Sequence, residues 1–96
     1  MQPIATFSAD GTSAIYIVVQ GGLFNLFAEG TFGGGTVSFE TSASGISWIP
    51  LSLGTEDIAW TAPNGIGLVL ASELQLRATL SGSTSPDIVI KLGPAS

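Results

Sequence analysis

The sequence contains no cysteine and no histidine, and these two absences remove much of the usual chemistry of enzymes and metal sites. Without cysteine the chain has no disulfide, no thiol nucleophile and no thiolate metal ligand. Without histidine it lacks the commonest general base and the commonest transition-metal ligand. Any catalytic site would have to depend on carboxylates, so we expect no enzymatic activity, no metal and no cofactor.

Positive charge is also scarce. Arg77 and Lys91 are the two basic residues against seven acidic ones, which gives a net charge of −5. Two cations cannot neutralise several phosphates of a duplex, and they form no basic face for anionic lipid. The longest apolar run covers residues 14–19, whereas a membrane-spanning helix needs about 20 apolar residues. We expect no nucleic-acid partner, no membrane partner and no secretory signal.

Charged residues make up only 9% of the 96 residues, and hydrophobic residues make up 45%. An average soluble domain is about 25% charged. The length predicts a single domain, residues 1–96. Because interfaces are depleted in charge, the composition favours an obligate oligomer or a subunit of a larger assembly. A monomer solvated by its many serine and threonine hydroxyls is the alternative.

Apolar and polar residues alternate along most of the chain, as in half-solvated antiparallel strands. Turn-forming residues separate the alternating runs at intervals of about ten residues. The sequence therefore predicts an all-β fold, an antiparallel β-sandwich of jelly-roll or Greek-key type with about eight short strands. The predicted strands are residues 3–8, 12–20, 22–29, 35–41, 46–51, 57–61, 65–71, 74–80 and 86–92. The apolar sets predicted to share a face are Ile15, Ile17 and Val19; Phe24, Leu26 and Ala28; Val37 and Phe39; and Ile88, Ile90 and Leu92.

The segment 70–80 has a second interpretation. It contains good helix formers, and Glu73 and Arg77 have the i,i+4 spacing of a helical ion pair. However, every second residue from Leu74 to Leu80 is apolar, and the residues between them are polar. Because a period of two fits better than a period of 3.6, we predict a strand.

Three consecutive glycines, Gly33 to Gly35, raise the question of a phosphate-binding loop. A Walker loop needs a lysine after its last glycine, and a dinucleotide-binding fingerprint opens a helix. Here no lysine follows, and residues 36–41 form a plain alternating run. We therefore interpret the glycines as conformational, supplying positive φ angles for a tight connection between two strands.

The acidic residues offer few ligand sites. Glu56 and Asp57 are adjacent, so in a strand their side chains would point to opposite faces, whereas in a turn they could help to hold calcium. The oxygen-rich loop of an EF-hand is missing. We interpret the pair as a solvated acidic turn, and Asp10-Gly11 as a turn before it is a ligand.

Four residues are candidates for an interaction surface: Tyr16, Trp48, Trp60 and Arg77. Trp48 lies in a short apolar run, which favours burial in a core or an interface. Trp60 is less determined, although core or interface is again favoured over a platform that stacks on a sugar ring.

Arg77 is the only arginine, and we expect it to form an ion pair with an acid such as Glu40 or Glu73. The alternative is a contact with another subunit, because arginine is enriched at interfaces.

Two blocks of the sequence resemble small virion proteins of tailed bacteriophages. Residues 30–40 read Gly-Thr-Phe-Gly-Gly-Gly-Thr-Val-Ser-Phe-Glu, and residues 42–45 and Trp48 follow. This is similar to a family pattern of glycine turn, alternating strand, second glycine turn and tryptophan. Residues 76–82 and 85–90 resemble the closing strands of the family. The family usually has Asp-Gly where this chain has Ser44-Gly45, so any metal or partner contact of that aspartate would be lost.

The resemblance implies a structural β-sandwich subunit of the virus particle, and within that class it favours a head decoration or cement protein. Such proteins typically form trimers on the capsid surface, so it implies a homotrimer that is made in the host cytoplasm and binds the major capsid protein. Some small relatives lie in tail or head–tail structures. The alternative is therefore a tail or fibre-tip module that binds a receptor carbohydrate through Tyr16, Trp48 and Trp60, and a small enzyme is the least favoured class.

Overall fold

The computed structural model of the chain describes residues 2–53 and 56–94, and every regular element within them is a β-strand. Six strands are six to ten residues long: β1 (Gln2–Phe7), β4 (Gly22–Thr31), β5 (Thr36–Ser42), β10 (Asn64–Leu70), β11 (Gln75–Ser81) and β12 (Asp87–Pro94). Six have only two residues: β2 (Gly11–Thr12), β3 (Tyr16–Ile17), β6 (Ile49–Pro50), β7 (Ser52–Leu53), β8 (Glu56–Asp57) and β9 (Ala59–Trp60). The long strands build the fold, and the short ones extend its edges.

Two antiparallel sheets pack face to face. Sheet A has the strand order β1-β12-β4-β10, and sheet B has the order β2-β11-β5-β6, with β3 also paired to β11 and β9 to β5. Strands β7 and β8 form a separate antiparallel pair. No long strand pairs with the long strand next to it in sequence, because the chain crosses between the sheets at nearly every connection. The predicted all-β antiparallel sandwich is confirmed.

The core consists of the apolar side chains that alternate strands direct between the sheets. In β4 the inward residues are Phe24, Leu26 and Ala28, and all three are buried. The other inward sets are Ile88, Ile90 and Leu92 of β12; Val37 and Phe39 of β5; and Leu76, Ala78 and Leu80 of β11. These sets confirm the predicted faces of the four strands. They also confirm that the segment following Leu74 is a strand and not a helix.

The predicted strand 12–20 is wrong in its extent and in its face. The Ser13 hydroxyl accepts a hydrogen bond from the Ala78 N–H at 2.9 Å, in place of a backbone carbonyl, so the ladder to β11 is interrupted between β2 and β3. The register then places Tyr16 opposite the inward Leu76 and Ile17 opposite the outward Gln75. A shift of one residue exchanges the two faces of a strand. Val18 is therefore buried, whereas Ile15, Ile17 and Val19 are exposed.

The predicted strand 46–51 also shortens. The Ser42 hydroxyl accepts hydrogen bonds from the N–H groups of Ser44 (3.2 Å) and Gly45 (2.8 Å), and this turn carries the chain away from β5. It rejoins β5 only at Ile49 and Pro50. The predicted strand 57–61 is divided between β8 and β9.

The glycine run forms one of three connections between sheets that meet at the same end of the sandwich. Gly33 and Gly34 have φ angles of 60° and 81°, and the Gly35 N–H donates to the Phe32 carbonyl at 2.9 Å. The Thr84 N–H, in the β11–β12 connection, donates to the Gly33 carbonyl at 2.9 Å. The predicted conformational role of the glycines is confirmed. We call this end of the molecule, formed by residues 8–10, 32–35 and 82–86, the corner end.

Candidate interaction surfaces

The four candidate interface residues lie in three different places. Trp60 packs in the core, where its ring meets that of Phe39 edge to face with centroids 5.3 Å apart. Only 9% of Trp60 is exposed, so the core interpretation of this residue is correct and little of its surface is left for a partner.

Trp48 and Arg77 are together on the outer face of sheet B. The guanidinium carbon of Arg77 lies 4.0 Å from the centroid of the Trp48 ring. The Nε of Arg77 is 3.0 Å from Oε1 of Glu40, which is its direct neighbour across β11 and β5. The predicted ion pair with Glu40 is confirmed, and the alternative partner Glu73 lies in the turn that precedes β11. Trp48 is half-buried against Arg77 and lies outside the hydrophobic core, so of the expected core or interface position only the interface stays a prediction.

The rest of this outer face carries hydroxyl groups. Thr12 and Thr79 lie opposite each other and share a hydrogen bond of 3.3 Å, and Ser38 is opposite Thr79 on the other side. Apart from Ile17, which lies opposite the outward Gln75, the outer face of sheet B is thus largely polar around the indole ring of Trp48. It can hydrogen-bond a ligand, but Arg77 already occupies a face of Trp48 that a sugar ring would need for stacking.

The exposed large apolar side chains are concentrated at the end of the sandwich opposite the corner end. We call this the apolar end, and we define it by five residues that are between 51% and 86% exposed: Ile17, Val19, Leu23, Ile46 and Val69. Ile49, which is 64% exposed, lies beside them in β6. Leu23 and Val69 are direct cross-strand neighbours of β4 and β10. A hydrogen bond of 2.7 Å from the Gly21 N–H to the Ser72 hydroxyl holds the two segments together. Contiguous exposed apolar surface, such as Leu23 and Val69 provide on sheet A, is typical of interaction sites.

Tyr16 belongs to the same end. It lines a cleft of about 520 Å³ together with Gln2, residues 19–24 and residues 92–94. None of these lining residues carries a charge. The cleft offers apolar walls together with the Tyr16 hydroxyl and the amides of Gln2 and Gln20, so it suits an uncharged protein segment.

The corner end is polar by contrast. Oδ2 of Asp10 accepts a hydrogen bond from the Gly82 N–H, and Oδ1 accepts one from the Ser83 N–H, both at 3.0 Å. The Ser83 hydroxyl also donates to Oδ1. The hydrogen bonds from the Ser83 side chain and backbone, followed by that from Gly82, lower the pKa of Asp10 below its ordinary value. Asp10 therefore fastens two connections together, as expected of a turn residue.

Most charged residues form ion pairs or hydrogen bonds within the chain. Lys91 Nζ lies 3.1 Å from Oε2 of Glu29 on the outer face of sheet A, so both basic residues form ion pairs. Glu56 and Asp57 are exposed in β8, and the Ser52 hydroxyl donates to Oδ1 of Asp57 at 2.6 Å. Within residues 2–53 and 56–94, no three acidic side chains converge in a way that could hold a metal ion. In the same part of the chain, no helix has the length and apolar character needed to cross a membrane.

No family model matches the chain, and no match is found among curated proteins or solved structures. The resemblance to virion proteins of tailed bacteriophages therefore stays a prediction.

The apolar end was missed in the sequence, although a signal for it exists. Residues 14–19 and 68–70 are apolar at successive positions, so whichever face is inward the other face is apolar too. That Leu23 lies beside Val69 follows only from the pairing of β4 with β10.

Proposed function

We propose that this chain is a non-enzymatic structural subunit of a tailed-bacteriophage virion, most specifically a head decoration or cement protein. It would assemble as a homotrimer on the capsid surface and bind the major capsid protein. The observation that supports this proposal best is the apolar end, where five large side chains are half or more exposed in the isolated chain. A subunit that is buried against neighbours needs such a surface.

The energetic argument concerns what burial of the apolar end would yield. Fully burying one aliphatic side chain stabilises an assembly by about 1.5–3 kcal/mol. Association itself costs about 4–15 kcal/mol. Five partly exposed side chains on each subunit therefore provide a driving force of the same order as the cost. The uncharged cleft beside Tyr16 adds surface of the same kind.

The charges of the chain support a position on the outside of a shell. With a net charge of −5 and both basic residues in ion pairs, the protein would be repelled by packaged DNA. Its mechanical effect would come from bridging several shell subunits, so that the shell resists internal pressure without any chemical step.

The proposal is tested on purified particles of the virus that encodes the chain. Quantitative mass spectrometry should find hundreds of copies for each particle, and particles stripped of the protein should release their DNA at a lower temperature. A handful of copies would place the protein in a tail structure. Its absence from particles would refute a virion function.

The alternative is a tail or fibre-tip module that binds carbohydrate. The observation that bears on it is the partial exposure of Trp48 beside the hydroxyl groups of sheet B. Quenching of tryptophan fluorescence by oligosaccharides would support it, and the signal should disappear in Trp48→Phe, since Trp60 lies in the core. The stacked Arg77 makes this the weaker proposal.

A further inference from the structure

The sheet edges of this molecule differ in their protection against pairing with another chain. Sheet B ends on both sides in strands of two residues, which are too short to guide a partner strand. In sheet A, the edge strand β1 contains Pro3 and a register shift between Pro3 and Ala5. A proline and a bulge are both devices that interrupt an edge.

The opposite edge of sheet A, β10, has none of these devices. It pairs with β4 over seven successive residues without a register shift, and its other side has no strand partner among the residues that the structure describes. Its sequence, Asn-Gly-Ile-Gly-Leu-Val-Leu, contains neither a charge nor a proline. Gly67, at its centre, has no side chain, and the nearest atom to an ideal Cβ there is 3.7 Å away. The outer face of β10 is therefore open at Gly67, whereas the Phe27 ring covers Gly65.

An acidic pair lies next to this edge. Glu56 and Asp57 line a cleft of about 240 Å³ together with Trp60 and with Ile66 of β10. Both acids are exposed, and both basic residues of the chain are already paired elsewhere. A segment that approaches β10 consequently meets negative charge that the chain itself does not neutralise.

A second copy of the chain fits this edge poorly. Antiparallel self-pairing of all seven residues would be centred on Gly67. With about 4.8 Å between strands and a rise of about 3.4 Å for each residue, the two Ile66 residues would then lie about 8 Å apart. Each copy would bring its own acidic pair to the cleft beside Ile66, and these like charges would repel each other.

We propose that the free edge of β10 takes an added strand from an extended, basic segment of a partner protein. Backbone hydrogen bonds along β10 supply the affinity, and a lysine or arginine of the partner lies beside Glu56 and Asp57. Apolar or β-branched residues at alternate positions of the partner continue the core past Ile66 and Leu68. Any partner with such a segment could bind in this way. Under the proposed function, the partner is the major capsid protein.

The test uses the peptide Lys-Thr-Val-Thr-Val-Thr-Lys as the probe, with the full chain. The peptide is titrated into the protein, and amide hydrogen exchange is measured at each step. Binding should slow the exchange of backbone amides in residues 64–70 and leave the exchange rates in β1 unchanged. The control is the same peptide with alternate backbone nitrogens methylated on the face that pairs. It should bind more than about tenfold more weakly, because several backbone hydrogen bonds are lost. Equal binding of the methylated peptide, or protection elsewhere, would overturn the proposal.

Two protein variants with the same change in net charge test the acidic pair. Glu56→Lys should weaken binding of the basic peptide about threefold at low salt and less at high salt. Asp87→Lys, at the start of β12 and away from β10, should leave it nearly unchanged. Equal effects of the two variants would contradict the position assigned to the partner's basic residue beside Glu56 and Asp57. Protection of residues 64–67, the part of β10 away from the apolar end, that rises with protein concentration alone would assign the edge to a second copy and overturn the proposal. Absence of the chain from virions would refute the proposed function without altering any of these results.

Discussion

The Asp10 carboxylate links two distant connections by hydrogen bonds, in a chain that has few charged residues. Its hydrogen bonds reach across from the β1–β2 connection to the β11–β12 connection, which is far away in sequence. Because these bonds favour the ionised form, the pKa of Asp10 in the folded chain is lowered. The unfolded chain keeps the ordinary value of about 3.9.

We predict that Asp10→Asn destabilises the protein at neutral pH but not at low pH. A group whose pKa is lowered by folding stabilises the fold above the unfolded pKa, and this contribution is lost as the pH falls through the lower, folded value. The difference in urea midpoint between wild type and variant should be constant from pH 7 to about pH 5 and should disappear well below about pH 4. Asp87→Asn is the control. A difference that grows on acidification would contradict the role assigned to Asp10.

The two tryptophans make a matched comparison, because one lies in the core and the other on an outer face. Trp60→Ala should destabilise the fold by about 3–5 kcal/mol, as for a large aromatic removed from a core. Trp48→Ala should cost only about 1 kcal/mol, mainly the contact with Arg77. Urea unfolding followed by circular dichroism measures both. Equal costs would show that the two side chains are not in the different environments described.

At the scale of strands, alanine substitutions at two neighbouring glycines of the β4–β5 connection distinguish the cost of a positive φ angle from the cost of a steric clash. Both have positive φ angles, but a Cβ on Gly34 would meet no atom within 4 Å, whereas one on Gly33 would overlap the carbonyl oxygen of Thr84. Gly34→Ala should therefore cost about 1 kcal/mol. Gly33→Ala should cost at least about 2 kcal/mol, since the β11–β12 connection must also move. If Gly34→Ala proved the more costly in urea unfolding, the packing of the two connections would be wrong.

Four of the long strands, β4, β5, β11 and β12, were predictable because the inward face of each is apolar and the other face is mostly polar. In β4, β5, β11 and β12 only one assignment of faces buries the apolar set, so alternation alone decides it. The segment 14–19 offers no such choice, since both of its faces are apolar. There the register to β11 decides, and it depends on Ser13, whose hydroxyl replaces a backbone acceptor. The sequence does not indicate that a serine hydroxyl, and not a backbone carbonyl, accepts this hydrogen bond.

The candidate surfaces were less predictable than the strands for a similar reason. Arg77 and Glu40 could be paired from charge alone, because the choice of acidic partners was small. Leu23 and Val69 form one surface only through the β4–β10 pairing, between strands far apart in the chain. Trp48 and Trp60 both occur in an Ile-x-Trp sequence, so this local pattern does not separate a core position from an outer one.

At the scale of the whole molecule, the sandwich has two chemically different ends. The corner end presents hydroxyl and carboxylate groups. The apolar end presents Ile17, Val19, Leu23, Ile46 and Val69, of which Val19 and Leu23 line an uncharged cleft. A chain with a net charge of −5 repels its own copies at most approaches. The apolar end is where that repulsion is weakest and where burial yields most, so copies should meet there.

Lysine substitutions at the apolar end should therefore break the assembly without unfolding the subunit. Val19→Lys and Val69→Lys each replace a side chain that is more than three-quarters exposed, so the fold should lose less than about 0.5 kcal/mol. Burying a lysine at an interface is far more costly. Thr31→Lys, which adds the same charge near the corner end, is the control.

Sedimentation equilibrium of the wild-type chain beside these three variants tests the account most directly. We predict the mass of three chains for the wild type and for Thr31→Lys, and the mass of one chain for Val19→Lys and Val69→Lys, with unchanged circular dichroism throughout. A wild-type protein that stays a single chain at all concentrations, or lysine variants that still form trimers, would contradict the claim that the apolar end is buried between copies.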